Sequence, residues 1–358
     1  MNILTLNAGS SSLKYALFIG AERKISGQTE RHEDISADLA NILDELAKHK
    51  TLRDLKIDVA VHRVVHGGKN YADPVLLNKK ILKDLQELTP LAPLHQPPAL
   101  AAIKALQELL PELPQIACFD TAFHRTQAHL ASLFALPRRY ADAGIIRYGF
   151  HGLSYQNIAN QLIDKPDEKV IAAHLGNGAS MCAMLQRKSI ASSMGFSALD
   201  GLMMGTRCGS LDAGVVLYLA QTENRSFAEI AQILYKESGL LGVSGISADL
   251  RTLEASPSPA AEEALTLFAY RAGREIGSLA AALGGLDRLV FTGGIGEHSA
   301  NMRTRICQHA KWLGVELNEP ANAEHASIIS SPNSKIIVNI IPADEESVMA
   351  QAAAQFLH

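Results

Sequence analysis

Four side chains that can donate hydrogen bonds to an anion stand in short, distinctive segments: Arg63, His95, His151 and Arg207. Arg63 directly follows an apolar run, and a guanidinium there can hold a carboxylate or a phosphate in two parallel hydrogen bonds. His151 and Arg207 have glycines close by, which let backbone and ligand approach each other, and a histidine there can donate to an oxyanion. Alone, Arg63 is better explained as a surface arginine, and His95 is equally well explained as a solvated histidine in a proline-stiffened turn. An arginine between glycines, as at Arg207, is a weak signal by itself. Beside phosphate-binding loops, they predict an anion site.

Two glycine-rich segments, 7–12 and 176–180, each lie between strand-like runs. Glycine lets backbone N–H groups come close to a phosphate, and the neighbouring hydroxyl and amide side chains can reach the water shell of a magnesium ion. The matched pair predicts a duplicated domain that grips one polyphosphate from both sides. Two ordinary β-hairpins with glycine turns are the alternative.

A third glycine-rich segment, 292–298, follows a strand-like run and precedes a helix-like one. This context predicts a nucleotide-binding loop. The segment lacks the Gly-Lys-Ser/Thr ending of a P-loop, and no acid follows at the distance that a dinucleotide fold requires.

Acidic residues stand at the ends of two predicted strands. Asp120 follows an apolar run and is either a site acid or the N-cap of a helix. Asp344, Glu345 and Glu346 follow the last run, where one can bind magnesium or all can complement a helix dipole.

Strand and helix patterns alternate along the chain and must position these residues. Period and composition predict strands at 3–6, 13–19, 24–28, 59–61, 116–119, 170–175, 181–185, 289–291 and 336–341. They predict helices at 35–48, 97–110, 212–221, 227–236, 260–283, 301–312 and 346–356, the last one returning to the first domain. Alternation implies α/β sheets with ligands at the strand ends. Proline-rich segments 90–98 and 256–259 are predicted linkers.

Bulk composition restricts the class of protein. A length of 358 residues suits two domains, and a net charge of −4 provides no general basic field for nucleic acid or an anionic membrane. The chain shows no signal peptide and no membrane-spanning run, so we expect a cytoplasmic protein without nucleic-acid or membrane partners. Its four cysteines are widely separated and read as buried or incidental thiols in a reducing cytosol.

Taken together and in this order, the motifs resemble the acetate and propionate kinase family. The matching segments cover nearly the whole chain and are 7–14, 62–68, 91–98, 119–124, 148–154, 174–180, 194–207, 292–297 and 341–346. The resemblance implies an α/β protein with the duplicated, ribonuclease H-like fold of actin, sugar kinases and heat-shock ATPases, in two lobes with a central cleft. Residues 1–123 plus 347–358 would form the N-terminal lobe, with the phosphate loop and the acyl-substrate residues. Residues 124–346 would form the C-terminal lobe, with the nucleotide site and the dimer contact.

The activity implied is reversible phosphorylation of acetate to acetyl phosphate by ATP, with direct in-line transfer, a Mg²⁺ or Mn²⁺ ion, and a homodimeric enzyme. Three alternatives remain: a propionate or short-chain acyl kinase, a sugar kinase, and a nucleotide-binding ATPase of the same superfamily without acyl chemistry. A sugar kinase needs a catalytic base for a neutral hydroxyl and polar residues around it. A carboxylate is already ionised near neutral pH, so we expect Asp120 to orient Arg63, Arg207 or the metal's water shell.

The resemblance also assigns roles to individual residues of this sequence. Catalytic roles fall on Arg63, His95, Asp120, His151 and Arg207, with Arg63 also binding the carboxylate or acyl phosphate. The acyl pocket maps to Val65, Leu94, Phe150 and Ala198, and the metal to Asn7 and Glu345. ATP would be bound by Lys14, His174, Leu175, Gly176, Asn177, Gly178, Asp249, Leu250, Arg251, Gly294, Ile295, Gly296, Glu297 and His298.

Five positions depart from the family pattern. Ala198 and Asp200 stand where proline and glutamate are usual, Tyr155 replaces a histidine, Ser210 an aspartate and His298 an asparagine. Alanine is smaller than proline, so the pocket is expected to admit a longer acyl chain.

Overall fold

The structure is a computed structural model that describes residues 1–9, 12–30, 32, 34–49, 55–163 and 165–357. Ser10 and Ser11 of the first glycine-rich segment lie outside the described residues. The strands in these ranges are β1 (Asn2–Ala8), β2 (Ser12–Ile19), β3 (Glu22–Glu30), β4 (Val59–Val64), β5 (Val75–Leu76), β6 (Gln115–Phe119), β7 (Val170–Leu175), β8 (Ala179–Leu185), β9 (Lys188–Ser192), β10 (Arg288–Thr292) and β11 (Ile337–Ile340).

The α-helices in the same ranges are α1 (Ile35–Lys48), α2 (Lys79–Glu87), α3 (Gln96–Leu109), α4 (His129–Ser132), α5 (Arg138–Asp142), α6 (Gly152–Gln161), α7 (Ala213–Gln221), α8 (Phe227–Lys236), α9 (Gly239–Ser244), α10 (Leu250–Glu254), α11 (Pro259–Leu283), α12 (Gly293–His298), α13 (Ala300–His309), α14 (Glu319–Ala323) and α15 (Glu345–Leu357). Short 3₁₀ helices cover Thr89–Leu91, Ala122–Thr126 and Lys311–Leu313.

Local signals explain why the longer helices begin where they do. The side chain of Asp34 accepts hydrogen bonds from the N–H groups of Ser36 and Ala37 and so caps α1. Ser226 and Glu229 form a reciprocal capping box at the start of α8. Both helices have the bounds predicted from the sequence.

The strands form two mixed sheets with the same order of strands. In sheet 1 the order is β3-β2-β1-β4-β6-β5, and in sheet 2 it is β9-β8-β7-β10-β11. In this order, the first three strands of each sheet pair antiparallel with one another, and the third, fourth and fifth strands pair parallel. Apart from the short edge strand β5, sheet 2 repeats sheet 1, as duplication predicts.

Sheet 1 is covered by helices on both faces, and successive side chains of its strands point to opposite faces. Leu4 and Leu6 of β1 join the core under α1 and α3, whereas Ile3 joins the core under α15. On the neighbouring strand β4, Ala60 joins the first core and Val61 the second. Parallel strands covered on both faces need such near-continuous apolar runs.

The chain divides into two compact units. The first comprises Met1–Arg125, Gly152–Asn157 and Asp344–His358, and the second comprises Thr126–His151 and Ile158–Ala343. The predicted lobes differ from this division at residues 124–125, 152–157 and 344–346, all of which belong to the first unit. Residues 152–157 pack there because the Gly152 N–H donates to the Asp120 carbonyl, at 2.9 Å, and Leu153 joins the core under α15. The division into lobes stays a prediction.

The predicted linkers at 90–98 and 256–259 are wrong, since each segment lies inside one unit. Their prolines instead start helices: Pro97 stands in the first turn of α3, and Pro259 is the first residue of α11. In the part of the chain that the structure describes, no helix is long and apolar enough to cross a membrane.

Candidate active site

A cluster of charged and amide side chains lies at the end of sheet 1. Arg63 stands in β4, Asn7 in the neighbouring β1, and Asp120 directly after β6, so parallel pairing brings the three to one edge. The Arg63 guanidinium donates to Asp120 from Nε to Oδ1 at 2.9 Å and from Nη2 to Oδ2 at 2.6 Å. Its Nη1 donates to Asn7 Oδ1 at 3.2 Å and lies 3.1 Å from Oε2 of Glu345, the first residue of α15.

Burial and charge oppose each other in this cluster. The side chain of Arg63 is 18% exposed and that of Asp120 only 1%. Burial alone would lower the pKa of Arg63, but the carboxylates of Asp120 and Glu345 raise it above its ordinary value. Burial also raises the pKa of Asp120, and the guanidinium works against that rise. Arg63 therefore stays protonated, with two carboxylates around one cation.

A second cluster lies at the turn between β7 and β8. His151 has a left-handed backbone with φ 57, a conformation that costs free energy for a non-glycine residue and is often found at functional sites. Its Nδ1 lies 2.8 Å from Ser180 Oγ, and its ring stacks on His174 with a centroid distance of 4.3 Å. A Cβ atom on Gly178 would lie 2.8 Å from Arg207 Nη2 and 3.4 Å from His151 Nε2. Glycine therefore lets the Arg207 guanidinium approach this turn more closely than a side chain at 178 would.

Arg207 is a buried cation without a carboxylate partner among the described residues. It is 7% exposed, and its Nη1 donates to the main-chain oxygen of Ala198 at 2.6 Å. Burial lowers the pKa of its guanidinium. A guanidinium has five N–H donors, and the bond to the Ala198 oxygen uses one of them, on Nη1.

A cavity of about 650 Å³ opens in the second unit. It lies where segments after β7 and β10 meet α10, at the strand ends where nucleotides bind in α/β proteins. Its lining residues are Gly176, Asn177, Ala248, Asp249, Leu250, Arg251, Glu254, Gly294, Ile295, His298 and Ser299. Eight of these were predicted to bind ATP.

The family model described as the Acetokinase family matches residues 19–351. The chain belongs to this family. It is 49% identical over 384 residues to an acetate kinase of Rhodopseudomonas palustris, covering 98% of this chain and 96% of that one. It is 43% identical over 381 residues to an acetate kinase of Rickettsia felis, covering 99% of each.

Solved structures of the family agree with this assignment. The acetate kinase of Porphyromonas gingivalis superimposes with a TM-score of 0.87 at 33% identity, over 100% of both chains. A propionate kinase from Francisella tularensis does so with a TM-score of 0.91 at 35% identity, over 98% of both. The predicted family, fold class and class of enzyme, an acetate kinase, are confirmed. Membership implies acetate and ATP as substrates and a divalent metal ion.

The donor atoms of the first cluster fit the metal that an acetokinase uses. Asn7 and Glu345 offer amide and carboxylate oxygens, and the Asn7 Nδ2 donates to Glu345 Oε2 at 3.0 Å, so the two side chains lie together. Magnesium prefers oxygen ligands and usually keeps several waters beside one or two carboxylates and substrate phosphates. Among the residues described, no group of three or more His, Cys, Asp or Glu side chains could hold a metal. The protein atoms thus suit an ion held mainly by water and phosphate.

Several predicted ATP residues lie away from the cavity wall as described. These are His174, Leu175, Gly178, Gly296 and Glu297, together with Lys14, which stands opposite Asn7 in the β1–β2 pair of the first unit. The Glu297 Oε1 accepts hydrogen bonds from the N–H groups of Gly293, at 2.8 Å, and Ala343, at 2.9 Å. Its carboxylate therefore ties α12 to the segment after β11.

The segment predicted as a loop at 292–298 is mostly helix α12. Gly293, with φ 77, turns the chain sharply at the end of β10, and a helix follows at once. The glycines thus start a helix rather than form an open loop.

Three lining residues were missed from the sequence: Ala248, Glu254 and Ser299. The Ser299 Oγ donates to Glu254 Oε1 at 2.7 Å. Glu254 follows Arg251 by three positions in α10, a spacing that places both on one face of a helix. That spacing was the available signal for Glu254. Ser299 carried an N-cap signal, because its side chain accepts from the Met302 N–H at the start of α13.

The four predicted acyl-pocket residues belong to different units. Val65 and Leu94 stand in the first, and Phe150 and Ala198 in the second. Leu94 is half-buried and the other three are buried. That they line one pocket stays a prediction. So does the role of His95, which is half-buried at the N-cap position of α3.

Proposed function

We propose that the protein transfers the γ-phosphoryl group of Mg-ATP directly to acetate, in one reversible in-line step that yields ADP and acetyl phosphate. The observation that carries this proposal is the buried guanidinium of Arg207, which has no carboxylate partner among the described residues. Both this guanidinium and the imidazole of His151 lie close to Gly178. A desolvated cation of this kind stabilises charge that develops on a transferring phosphoryl group.

The acceptor needs no general base. Acetate is ionised at neutral pH, since carboxyl groups have ordinary pKa values near ~4. Catalysis then consists of positioning and of stabilising a metaphosphate-like transition state, which Arg207 and His151 do from the second unit.

Arg63 binds the acetate carboxylate or the acyl phosphate in this proposal. Two of its nitrogens are held by Asp120, so that its Nη1 edge is aimed by a rigid ion pair. Asp120 is thereby a positioning residue and not a proton acceptor. His95 contacts the phosphoryl group in the same scheme.

The cavity of the second unit holds ATP, with Asp249, Arg251 and His298 among its polar groups. Asn7 and Glu345 would hold Mg²⁺ through their oxygen atoms and water, and Lys14, opposite Asn7, would bind the phosphates. When bound, the ion supplies positive charge that neutralises the phosphate oxygens.

Trapping the acyl phosphate with hydroxylamine tests the reaction directly. Mg-ATP is supplied with acetate, propionate or butyrate, and the hydroxamate formed is measured. We expect clear turnover of acetate. ATP hydrolysis stimulated by a sugar or a peptide, with no hydroxamate from any of the three acids, would reject acyl chemistry and leave a nucleotide-binding ATPase or a sugar kinase.

Propionate kinase activity is the second candidate, and Ala198 favours it. The side chain is 8% exposed and smaller than proline, and a propionate kinase is among the similar solved structures. One methylene changes discrimination by only ~1–3 kcal/mol, so some propionate turnover is expected in any case. Ala198→Pro should lower kcat/KM for propionate relative to acetate. An unchanged ratio would show that Ala198 does not set acyl length.

A cytoplasmic homodimer completes the proposal. Helix α7 exposes the apolar side chains of Val215, Leu217 and Tyr218, as helices at subunit contacts do. Light scattering should give twice the chain mass for the wild type and the single chain mass for Leu217→Glu. A wild type of single chain mass would contradict the dimer.

A further inference from the structure

Arg207 and a wall of the proposed acyl pocket are parts of one folded-back segment. We call residues 194–210 the acyl loop. Within it, the guanidinium of Arg207 turns back and donates to the main-chain oxygen of Ala198 at 2.6 Å. Ala198, which would touch the acyl chain, thus also accepts the hydrogen bond that holds the buried Arg207. A displacement of Ala198 would therefore displace Arg207.

Asp200 closes the base of the acyl loop. Its Oδ1 accepts from the Ser210 Oγ at 2.9 Å and from the Gly201 N–H at 2.8 Å. The Ser210 N–H in turn donates to the Gly201 carbonyl at 2.9 Å. These hydrogen bonds join the part of the acyl loop that contains Ala198 to the part that contains Arg207.

The other oxygen of Asp200 faces an arginine from outside the loop. Arg147 Nη2 lies 3.2 Å from Asp200 Oδ2, and it also donates to the carbonyl of Ser193 at 3.2 Å. Glu275 of α11 shares this environment: burial raises its pKa, Arg147 opposes that rise and Asp200 adds to it. Arg147 therefore interacts with two acids, Asp200 and Glu275. Through its ion pair with Arg147, Asp200 anchors the acyl loop to the rest of the second unit.

We propose that Asp200 is a positioning residue that holds Ala198 and Arg207 as one unit, so that the enzyme reads the length of the acyl chain through the position of Arg207. This inference rests on the proposed function of the site. An acyl chain that pushes on Ala198 moves the carbonyl that anchors Arg207. Longer acids then lose kcat in addition to binding, because a small displacement of a catalytic group has a large effect on rate.

The test compares Asp200→Asn with Asp200→Glu, using acetate, propionate and butyrate at saturating Mg-ATP. Asparagine keeps an acceptor for Ser210 and Gly201 but presents an amide N–H₂ to Arg147, so it breaks only the outer anchor. We expect kcat for acetate to fall about 10- to 100-fold, as misplacement of catalytic groups does, with KM for ATP unchanged. Asp200→Glu retains the carboxylate and should recover most of that loss.

The decisive readout is the ratio of kcat for acetate to kcat for butyrate. If the anchor transmits acyl length, Asp200→Asn lowers this ratio, because Arg207 is already displaced when acetate is bound. Asp212→Asn is the matched control: Asp212 stands two residues after Ser210 and is exposed, and its side chain accepts a hydrogen bond from the backbone N–H of Gly214 at the start of α7. It should leave both kcat and the ratio unchanged.

Two results overturn the inference. One is an Asp200→Asn enzyme with wild-type kcat, and the other is a loss of kcat by the same factor for all three acids. Nucleotide-binding stoichiometry corrects for misfolded protein, and if Asp200→Asn does not fold, Ser210→Ala breaks the inner link and is judged by the same ratio. A failure of the proposed function would differ from a failure of this inference, because the wild type itself would then form no hydroxamate.

Discussion

The two sheets have the same order of strands and opposite electrostatics at their ends. At sheet 1, Arg63 is held by Asp120 and lies beside Glu345, so that two carboxylates surround one guanidinium. In the second unit, Arg207 is buried against the neutral carbonyl of Ala198. The pKa of Arg63 is raised and that of Arg207 is lowered. A repeated fold thus provides one site suited to a metal ion and a positioned arginine, and another suited to an anion.

Removal of Arg207 should have the largest effect on activity of the changes that distinguish the two arginines. Arg207→Ala is expected to lower kcat by roughly 10³-fold or more, as loss of a phosphate-stabilising arginine does. Steady-state kinetics with acetate measure the effect. Arg303→Ala is the matched control, because Arg303 is fully buried with neutral partners, Asn322 and the Gly296 carbonyl. It should lower stability while leaving kcat per folded enzyme far higher than Arg207→Ala does. A loss confined to KM in Arg207→Ala would reduce that residue to a binding role.

Asp120→Asn tests whether the first cluster positions its arginine. Asp120 is buried, and removing one partner of such a pair leaves an uncompensated charge. We expect kcat/KM for acetate to fall by about 10²-fold, with a rise in KM, since a truncated buried pair costs ~2–5 kcal/mol in binding. A fall in kcat alone, with an unchanged KM for acetate and a lost limb of the pH profile, would instead make Asp120 a base.

Gly178→Ala tests whether the position of Arg207 in the second unit matters for the rate. Its Cβ would lie 2.8 Å from Arg207 Nη2, so the guanidinium must move. We expect a fall in kcat of about 10- to 100-fold without loss of folding. Gly277→Ala, whose Cβ would meet only Trp312 at 3.5 Å, is the control and should keep wild-type kcat. Equal kcat values for the two variants would show that the Arg207 guanidinium can shift at this turn without loss of activity.

Acid should weaken the first unit through a buried histidine. Burial lowers the pKa of His62 to about 4, although its hydrogen bond to Gln115 works against this. Between its ordinary pKa and about 4, the unfolded state binds a proton that the folded state does not, so stability falls as pH falls through this range. From pH 6.5 to pH 5 the loss is roughly 2 kcal/mol, at 1.36 kcal/mol per unit.

Urea unfolding of the wild type and of His62→Gln at the two pH values measures this loss. The variant should have a shallower dependence on pH. His66, whose pKa burial also lowers to about 4, contributes a further part in both proteins. Identical slopes for the wild type and His62→Gln would contradict the assignment to His62.

Local signals were sufficient for many elements of the fold. Helices α1 and α8 could be bounded from apolar spacing and capping residues, and the repeated strand-glycine-strand pattern indicated two related sheets. Segments 90–98 and 256–259 were predicted as linkers although helices were also predicted from 97 and 260, because a proline in the first turn of a helix and one in a connecting loop look alike in sequence. The glycines at 293, 294 and 296 misled the prediction of a loop in the same way, since a sharp turn into a helix and an open loop both use glycine.

The family, the two sheets and the types of residue that can bind phosphate and carboxylate could be predicted from the sequence, because they depend on local patterns and on motif order. The pairing of the charges became evident from the folded structure alone. Arg63 and Glu345 are 282 positions apart in sequence and 3.1 Å apart in space, whereas Arg207 meets a carbonyl nine positions away. Charge pairing depends on distance and burial in three dimensions, and spacing along a chain does not encode either one directly.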